Sequence, residues 1–399
     1  MRILMPSVVD PETHRGGAGT VTRGIDALLR MAPLSAEVEY LPLPEYARLH
    51  RVRQAASLAR SIGSRLPAKA LFTRSRAFAR LVERRLREQH FDLLLVNGSD
   101  LLWLLDELPE QPPAVLIAHN VEHELYRSQI ERTPGSDGML DPLLRHDWLK
   151  LREYEDAGLQ KVGRAIFLSR DEGAEYGRRF PRLSWIHVPP VFAYSAWQRP
   201  ANGRAGTGLD IGMLANFDWW PNQSGLGWLL DHVLPHTGPD LRLHLFGNGS
   251  KRYARRHHRL VAHGYVARVE RVWSTCDFFV CPIFEGAGVN VKMAEAIYNR
   301  VPVLARPFAA RGLGFDAVDD PAIVLLDTAA EWIDFLASSS AHALASTRSS
   351  EDLTDRFRPE TYRQVVESLL CGALEQSSAK ESSGASATAG RPGRAPVPT

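Results

Sequence analysis

A chain of 399 residues exceeds what one hydrophobic core ordinarily organises and suits two domains. Hydrophobic residues make up 44%, charged residues 24% and aromatic residues 9%, which excludes a largely disordered chain, a collagen-like chain and a coiled coil. Net charge is only +2, yet residues 45 to 90 hold twelve Arg or Lys against three Glu, a local +9 that leaves −7 for the rest.

In chain order, MRILMPSVVD reads as a first strand. Its apolar stretch before Pro6 and Asp10 is too short for a secretory signal, which needs an apolar core of about 7 to 15 residues. No run of about 18 apolar residues occurs, so no spanning helix is expected. After this strand, HRGGAGTVTRGIDALLR places Gly16, Gly17 and Gly19 before a helix. Bare backbone followed by a helix N-terminus favours a phosphate or another anion, although a glycine turn after a strand is as often simply a turn. Set against the dinucleotide fingerprint G-x-G-x-x-G, the run from Gly17 gives Gly19 and then Thr22, so the third glycine is missing, while Glu39 could imitate the ribose-binding acid. A nicotinamide oxidoreductase therefore remains an alternative on a partial match.

In the basic segment, Leu71, Phe72, Phe78, Leu81, Val82 and Leu86 interleave with Arg at roughly helical spacing. That predicts either a basic amphipathic surface suited to anionic lipid headgroups, through residues 45–90, or a solvated helix face. No sequence motif of a nucleic-acid reader accompanies the charge, so no nucleic-acid partner is expected.

Short apolar runs then recur between helical stretches: FDLLLVN (91 to 97), AVLIAHN (114 to 120) and RAIFLS (164 to 169). The rhythm returns in LDIGML (209 to 214), LRLHLFG (241 to 247), DFFVCP (277 to 282), VPVLAR (301 to 306) and AIVLLD (322 to 327). Near-continuous apolar strands alternating with helices predict parallel sheets covered on both faces, hence an α/β chain of two Rossmann-like lobes. The polar stretch SAWQRPANGRAGTG (195 to 208) divides an N-terminal domain, 1–194, from a C-terminal domain, 209–355. Residues 356–375 are expected to form a helix packing back toward the first domain, and 376–399, almost without large apolar residues, a disordered tail. The cleft is expected at the domain boundary, lined by loops after the strands. Cys276, Cys281 and Cys371 are odd in number and lack metal-ligand spacing, which points to a reducing, cytoplasmic compartment.

The sharpest pattern is PIFEGAGVNVKMAEAIYNRVPVLARPFAARGL (282 to 313). Following a strand, Glu285-Gly286-Ala287-Gly288 opens a helix from Val291 to Tyr298. The glycines would bare amides of the turn, of Val289 and of Asn290, suited to a diphosphate or a sugar oxygen. Lys292 and Glu295 lie three apart, on nearby helix faces, so an amine at phosphates and a carboxylate at a diol could together grip a sugar nucleotide.

Pro282 to Ala296, followed by Arg300-Val301-Pro302-Val303, resembles the donor-binding signature of GT-B retaining glycosyltransferases of family 4, the group 1 families, in the branch with G-A-G, a Lys and then E-A. FGNGS (246 to 250) resembles that family's turn after a strand, and HGYVARVERVWSTCDFFVCP (263 to 282) its base-binding loop, helix and strand. The resemblance implies a GT-B fold, two Rossmann-like parallel-sheet domains facing across a cleft. It implies transfer of a sugar from a nucleotide sugar to a hydroxyl of a glycan or lipid-linked acceptor, with no metal and no cofactor, as in bacterial surface-polysaccharide or glycolipid synthesis.

The same resemblance makes Glu295 the ribose ligand, Lys292 the cation at the diphosphate, Gly286 to Asn290 (with Ala287, Gly288 and Val289) the cradle of the sugar, and Tyr265 and Val266 the backbone groups at the base. His119 corresponds to a histidine near the sugar, and Gly16 and Gly17 to the loop facing the diphosphate. Two departures stand out. Glu285, a catalytic-site candidate, precedes Glu295 by ten residues rather than the family's eight, so either it reaches the sugar from a shifted loop or the backbone alone makes that contact, and Asn216 and Asn222 fall where an Arg and a Lys are usual. Asn216 and Asn222 favour a second alternative, a catalytically silent sugar-nucleotide binding protein of the same fold. Ser169 with Glu172 reads as a helix capping box, Trp219 and Trp220 as sugar-stacking or packing residues, and the Arg255 to His258 cluster as a solvated helix face, not a metal site.

Overall fold

The structure, a computed structural model, describes residues 1–14, 16–44, 50–132, 140–198, 208–314 and 320–388. The first lobe holds β1 (Arg2–Ser7), β2 (Glu37–Pro42), β3 (Leu93–Asn97), β4 (Ala114–Ala118), β5 (Arg164–Phe167) and β6 (Ser184–His187). These form one parallel sheet in the order 2-1-3-4-5-6. In the second lobe, β7 (Leu209–Leu214), β8 (Leu241–Phe246), β9 (Leu260–Gly264), β10 (Phe278–Cys281), β11 (Val303–Ala305) and β12 (Ile323–Leu325) pair in the order 12-11-10-7-8-9. Counted from β7, that is the 3-2-1-4-5-6 arrangement of dinucleotide-binding sheets, and both sheets reverse direction beside their first strand, at β1/β3 and β7/β10. The apolar runs had pointed to both sheets; β2, β6 and β9 were not among those runs, being edge strands with half-buried faces.

Covering helices explain why the strands are apolar on both faces. Along the first sheet successive side chains alternate between two cores: Leu4, Leu94, Val96 and Leu116 on one face, Ile3, Met5, Leu93, Leu95, Val115 and Ile117 on the other. The second face is closed by Val366, Leu369, Leu370 and Ala373 of the C-terminal helix, Arg363–Thr388, which crosses back from the second lobe. Each fully buried Val or Leu there contributes about 1.5–3 kcal/mol, enough to dock the helix firmly. The helix runs beyond residue 375, through the segment read as a tail, because Ala, Ser, Glu and Lys extend a helix once its first turns are anchored. Residues 389–399 of that segment, and 199–207 of the 195–208 linker, lie outside the described residues.

Of the two readings open for the basic segment, the packing of its apolar residues favours the solvated helix face. Leu71, Phe78 and Val82 are buried in the first lobe, so the interleaved apolar face packs inward. Arg74, Arg84, Arg85 and Arg87 pair with Glu107, Glu88, Glu39 and Glu83, whereas Arg60, Arg65, Arg76 and Arg80 remain exposed. Both oxygens of Glu39 accept from the Arg85 guanidinium, which removes the acid a dinucleotide ribose would need. Residues 45–49 lie outside the described residues, and no described helix is long and apolar enough to cross a membrane.

Candidate active site

A cavity of about 570 Å³ lies between the lobes, within the range of small-molecule sites, and is lined from both topological switch points. From the first lobe come Gly16 and Gly17 after β1, Asn97, Gly98 and Asp100 after β3, and His119, Asn120 and Glu122 after β4. The second lobe supplies Asn216, Trp219 and Asn222 after β7, then Glu285, Gly286, Ala287, Val289, Asn290 and Lys292 after β10, and Arg311.

The second-lobe wall is fixed by its backbone. Gly286 and Gly288 adopt φ of +119° and +70°, conformations that favour glycine. A Cβ at Gly288 would also overlap Asn120 Oδ1, so the lobes approach backbone to side chain at this point. The helix Val291–Tyr298 begins where the sequence predicted, since Asn290 caps it: its Oδ1 accepts from Lys292 N at 3.2 Å and Met293 N at 3.1 Å. The Asn290 amide also donates to Cys281 Sγ at 2.9 Å, tying the cap to the end of β10.

Lys292 reaches the cavity, while Glu295 stands behind it. The carboxylate of Glu295 is buried, with Oε2 2.8 Å from Lys292 Nζ and Oε1 accepting from Tyr194 Oη at 3.2 Å. Glu295 thus orients the lysine in this structure and does not line the cavity expected to hold the ribose. Tyr194 is itself held by Asn299, and Trp197 N donates to Asn299 Oδ1 at 2.8 Å, so the chain leaving the first lobe is clamped to this helix. Tyr265 and Val266 lie in a separate surface depression with Trp197, Arg268 and Arg271, apart from the main cavity.

Gly288, expected to offer its amide to a sugar, donates it to Glu172 Oε1 of the first lobe at 3.1 Å. Ser169 caps the helix Arg170–Arg179 by accepting from Glu172 N, but the Glu172 side chain crosses the cleft instead of closing a capping box. Asp171 Oδ2 likewise accepts from Gly312 N at 3.1 Å, making this helix start a contact between the lobes. Burial pushes the Glu172 carboxyl up to about 7, opposed by the Gly288 amide and the charge of Arg311.

Arg311 escaped the sequence reading, because nothing in ARPFAARGL marks it. It lies over the Phe308 ring, 3.8 Å from the centroid, with a terminal nitrogen 3.9 Å from where a Gly286 Cβ would be. Burial lowers it to about 10, which leaves it cationic at neutral pH. Asn216 and Asn222 are tied to each other: Asn216 Oδ1 accepts from Asp218 N, and Asn222 Nδ2 donates to the Asn216 carbonyl at 2.8 Å. On the first-lobe side, Lys69 is ion-paired with Glu122 and lies 3.4 Å from Asp100, so two carboxylates near the cavity share one ammonium. Burial lifts the Asp100 carboxyl to about 6, against the pull of that ammonium. His119 Nε2 lies 2.6 Å from Asn97 Oδ1, and burial holds the imidazole at about 4, hence neutral.

Residues 208–336 match the family model described as glycosyl transferases group 1. HepE of Anabaena in complex with UDP-glucose superposes with a TM-score of 0.63 at 15% identity, over 93% of this chain and 100% of that one. The fold is GT-B. Sucrose-phosphate synthase from Thermosynechococcus elongatus gives 0.57 at 15% identity, over 92% and 99% of the two chains. TarM gives 0.50 at 13% identity, over 73% of this chain, which spans only 58% of TarM. No curated protein matches the chain by sequence.

Proposed function

We propose that the protein is a retaining glycosyltransferase that moves a sugar from a nucleotide sugar to an acceptor hydroxyl. The observation that carries this reading is the cavity at both switch points, where Lys292, Arg311 and a glycine turn leading into a capped helix face His119 and Asp100 across the lobes. A leaving diphosphate needs positive charge and oriented amides, and those stand on the second-lobe wall. The acceptor hydroxyl is assigned to the first-lobe side, near Asp100 and Glu122. In the step proposed, the bond from the anomeric carbon to the phosphate oxygen breaks as the bond to the acceptor oxygen forms on the same face, and the acceptor proton passes to the leaving phosphate. Positioning and preorganised charge carry the rate.

The group 1 match over 208–336 supports the donor class, and HepE's complex makes UDP-sugars the first donors to try. A glycan or lipid-linked acceptor at the inner face of a membrane belongs to the same proposal, motivated by exposed Arg60, Arg65, Arg76 and Arg80. Binding to anionic vesicles at low salt tests that part. The linked pair Asn216 and Asn222 favours a second reading, a sugar-nucleotide binding protein without turnover.

The test is thermal shift against UDP, GDP, ADP and TDP sugars, followed by release of nucleoside diphosphate with an acceptor extract. One series is expected to stabilise the protein by about 2.7 kcal/mol at a hundred times its Kd, with turnover. Binding without release of diphosphate leaves the second reading; no binding by any series ends both.

A further inference from the structure

The hydrogen-bond chain behind His119, a residue that lines the cavity, determines which of its ring nitrogens carries the proton. Asn97 ends β3 beside Ser7 of β1, and is 2% exposed. Its Nδ2 lies 2.9 Å from Ser7 Oγ and 3.0 Å from Thr22 Oγ1, and its Oδ1 2.6 Å from His119 Nε2. Both hydroxyl protons are already engaged: Ser7 donates to the Val9 carbonyl at 2.6 Å and Thr22 to the Ala18 carbonyl at 2.9 Å. Those two oxygens can therefore only accept from Asn97, so the end of the amide facing them is its NH2 group. The other end is a carbonyl, which can only accept, and His119 Nε2 must carry the proton. A neutral imidazole has one N–H, so Nδ1 is a bare acceptor.

We propose that Asn97 is a positioning residue that locks His119 as the Nε2-protonated neutral tautomer, so that Nδ1 accepts a hydrogen bond from a hydroxyl of the bound saccharide. The saccharide part rests on the transferase reading; the tautomer does not. An amide in this place, unlike a carboxylate, gives the ring no charge to stabilise an imidazolium, so His119 orients a hydroxyl and does not take its proton. The charged and titratable groups lining the same cavity as the ring are Glu122, with its partner Lys69, Asp100 and His14 from the first lobe, and Lys292, Glu285, Cys281 and Arg311 across it. Of these, Glu122 raises the imidazole, and burial outweighs it.

Long-range proton–nitrogen spectra of the full-length, nitrogen-15 histidine-labelled protein, without substrate, test the lock. His119 is assigned by the signal lost in His119→Gln. The expected result is protonated Nε2 and bare Nδ1 from pH 8 to about 5, the lower limit set by an imidazole held at about 4. Asn97→Asp, nearly isosteric, is expected to move protonation of the ring up by about 1–3 pH units. With a donor that turns over, that variant's kcat/KM, taken as a ratio to the wild type's at the same pH, falls on the acid side. If Asn97→Asp does not fold, the pair Ser7→Ala and Thr22→Val frees the amide to turn, and His119 should then show a mixture of tautomers. A protonated Nδ1 in the wild type, or a His119 titration unmoved by Asn97→Asp, overturns the proposal. Absence of donor turnover would instead count against the transferase reading, with the spectra still deciding the tautomer.

Discussion

On the second-lobe side of the cavity the wall is main chain and helix start: Gly286 and Gly288 at positive φ, the Asn290 cap, and Lys292 held by Glu295. On the first-lobe side it is a stack of buried polar side chains, Ser7 and Thr22 on Asn97, and Asn97 on His119. A main-chain wall presents donors whatever its side chains are, and is sensitive where a Cβ cannot fit. A side-chain wall keeps its shape through an isosteric change yet loses its chemistry when one polar atom is exchanged. The division matches the two tasks proposed, a charged leaving group on one side and a hydroxyl to be oriented on the other.

The largest effect should come from Lys292→Ala. Losing a preorganised donor at a leaving group costs on the order of 10²–10³ in rate. It also leaves Glu295, whose side chain is 4% exposed, without its cation, which costs about 3–5 kcal/mol of stability. The two losses separate in the pair Lys292→Met with Glu295→Gln, expected to recover melting temperature but not kcat/KM. If Lys292→Ala leaves turnover intact, the charged wall is wrongly placed.

Next is the pH dependence of the contact between the walls. The unfolded chain releases the Glu172 proton near the ordinary value of 4.5, the folded chain near 7, so between these values the folded state holds the extra proton. Stability from this group is therefore greatest at low pH and is lost as pH rises from about 4.5 to 7, by at most about 3 kcal/mol. Glu172→Gln should flatten that slope in denaturant titrations across the window while keeping an acceptor for Gly288 N–H. An identical slope in the variant would mean that Glu172 is ionised in the folded protein throughout.

Gly288→Ala should cost about 1–3 kcal/mol, combining φ of +70° with overlap on Asn120, and should lower kcat by holding the lobes apart. Gly227→Ala, at a helical glycine outside the cavity where an added Cβ would meet nothing within 4 Å, is the control expected to change little.

These contrasts follow what the sequence could and could not reveal. The turn from Glu285 and the helix Val291–Tyr298 were legible because glycines after a strand and helical spacing are local signals, whereas the Asn290 cap showed only in the structure. The strands were legible because burial on both faces makes them continuous apolar runs. Asn97 with His119, Glu172 with Gly288, and Arg311 beside Gly286 are 22, 116 and 25 residues apart, and no period encodes such pairs. They arise only once strand order brings the loops to one crevice. The two readings of the basic segment stayed open for a related reason: helical spacing identified the apolar face of Phe78 and Val82, but not that the sheet covers it.

The smallest activity effect is expected at Arg311, and it bears on the sequence departure that favours a silent protein. If Arg311 stands in for the basic residues replaced by Asn216 and Asn222, Arg311→Gln should weaken binding of a nucleoside diphosphate about tenfold, the scale of one charge-assisted hydrogen bond, and leave the nucleoside unaffected. Asn222 lines the same cavity, so Asn222→Lys should restore the loss in the Arg311→Gln background. Isothermal titration with the diphosphate and the nucleoside reads both effects. Equal weakening of the two ligands would assign Arg311 to shaping the Glu285–Gly286 turn, through its stacking on Phe308, and return the missing charge to Lys292 alone.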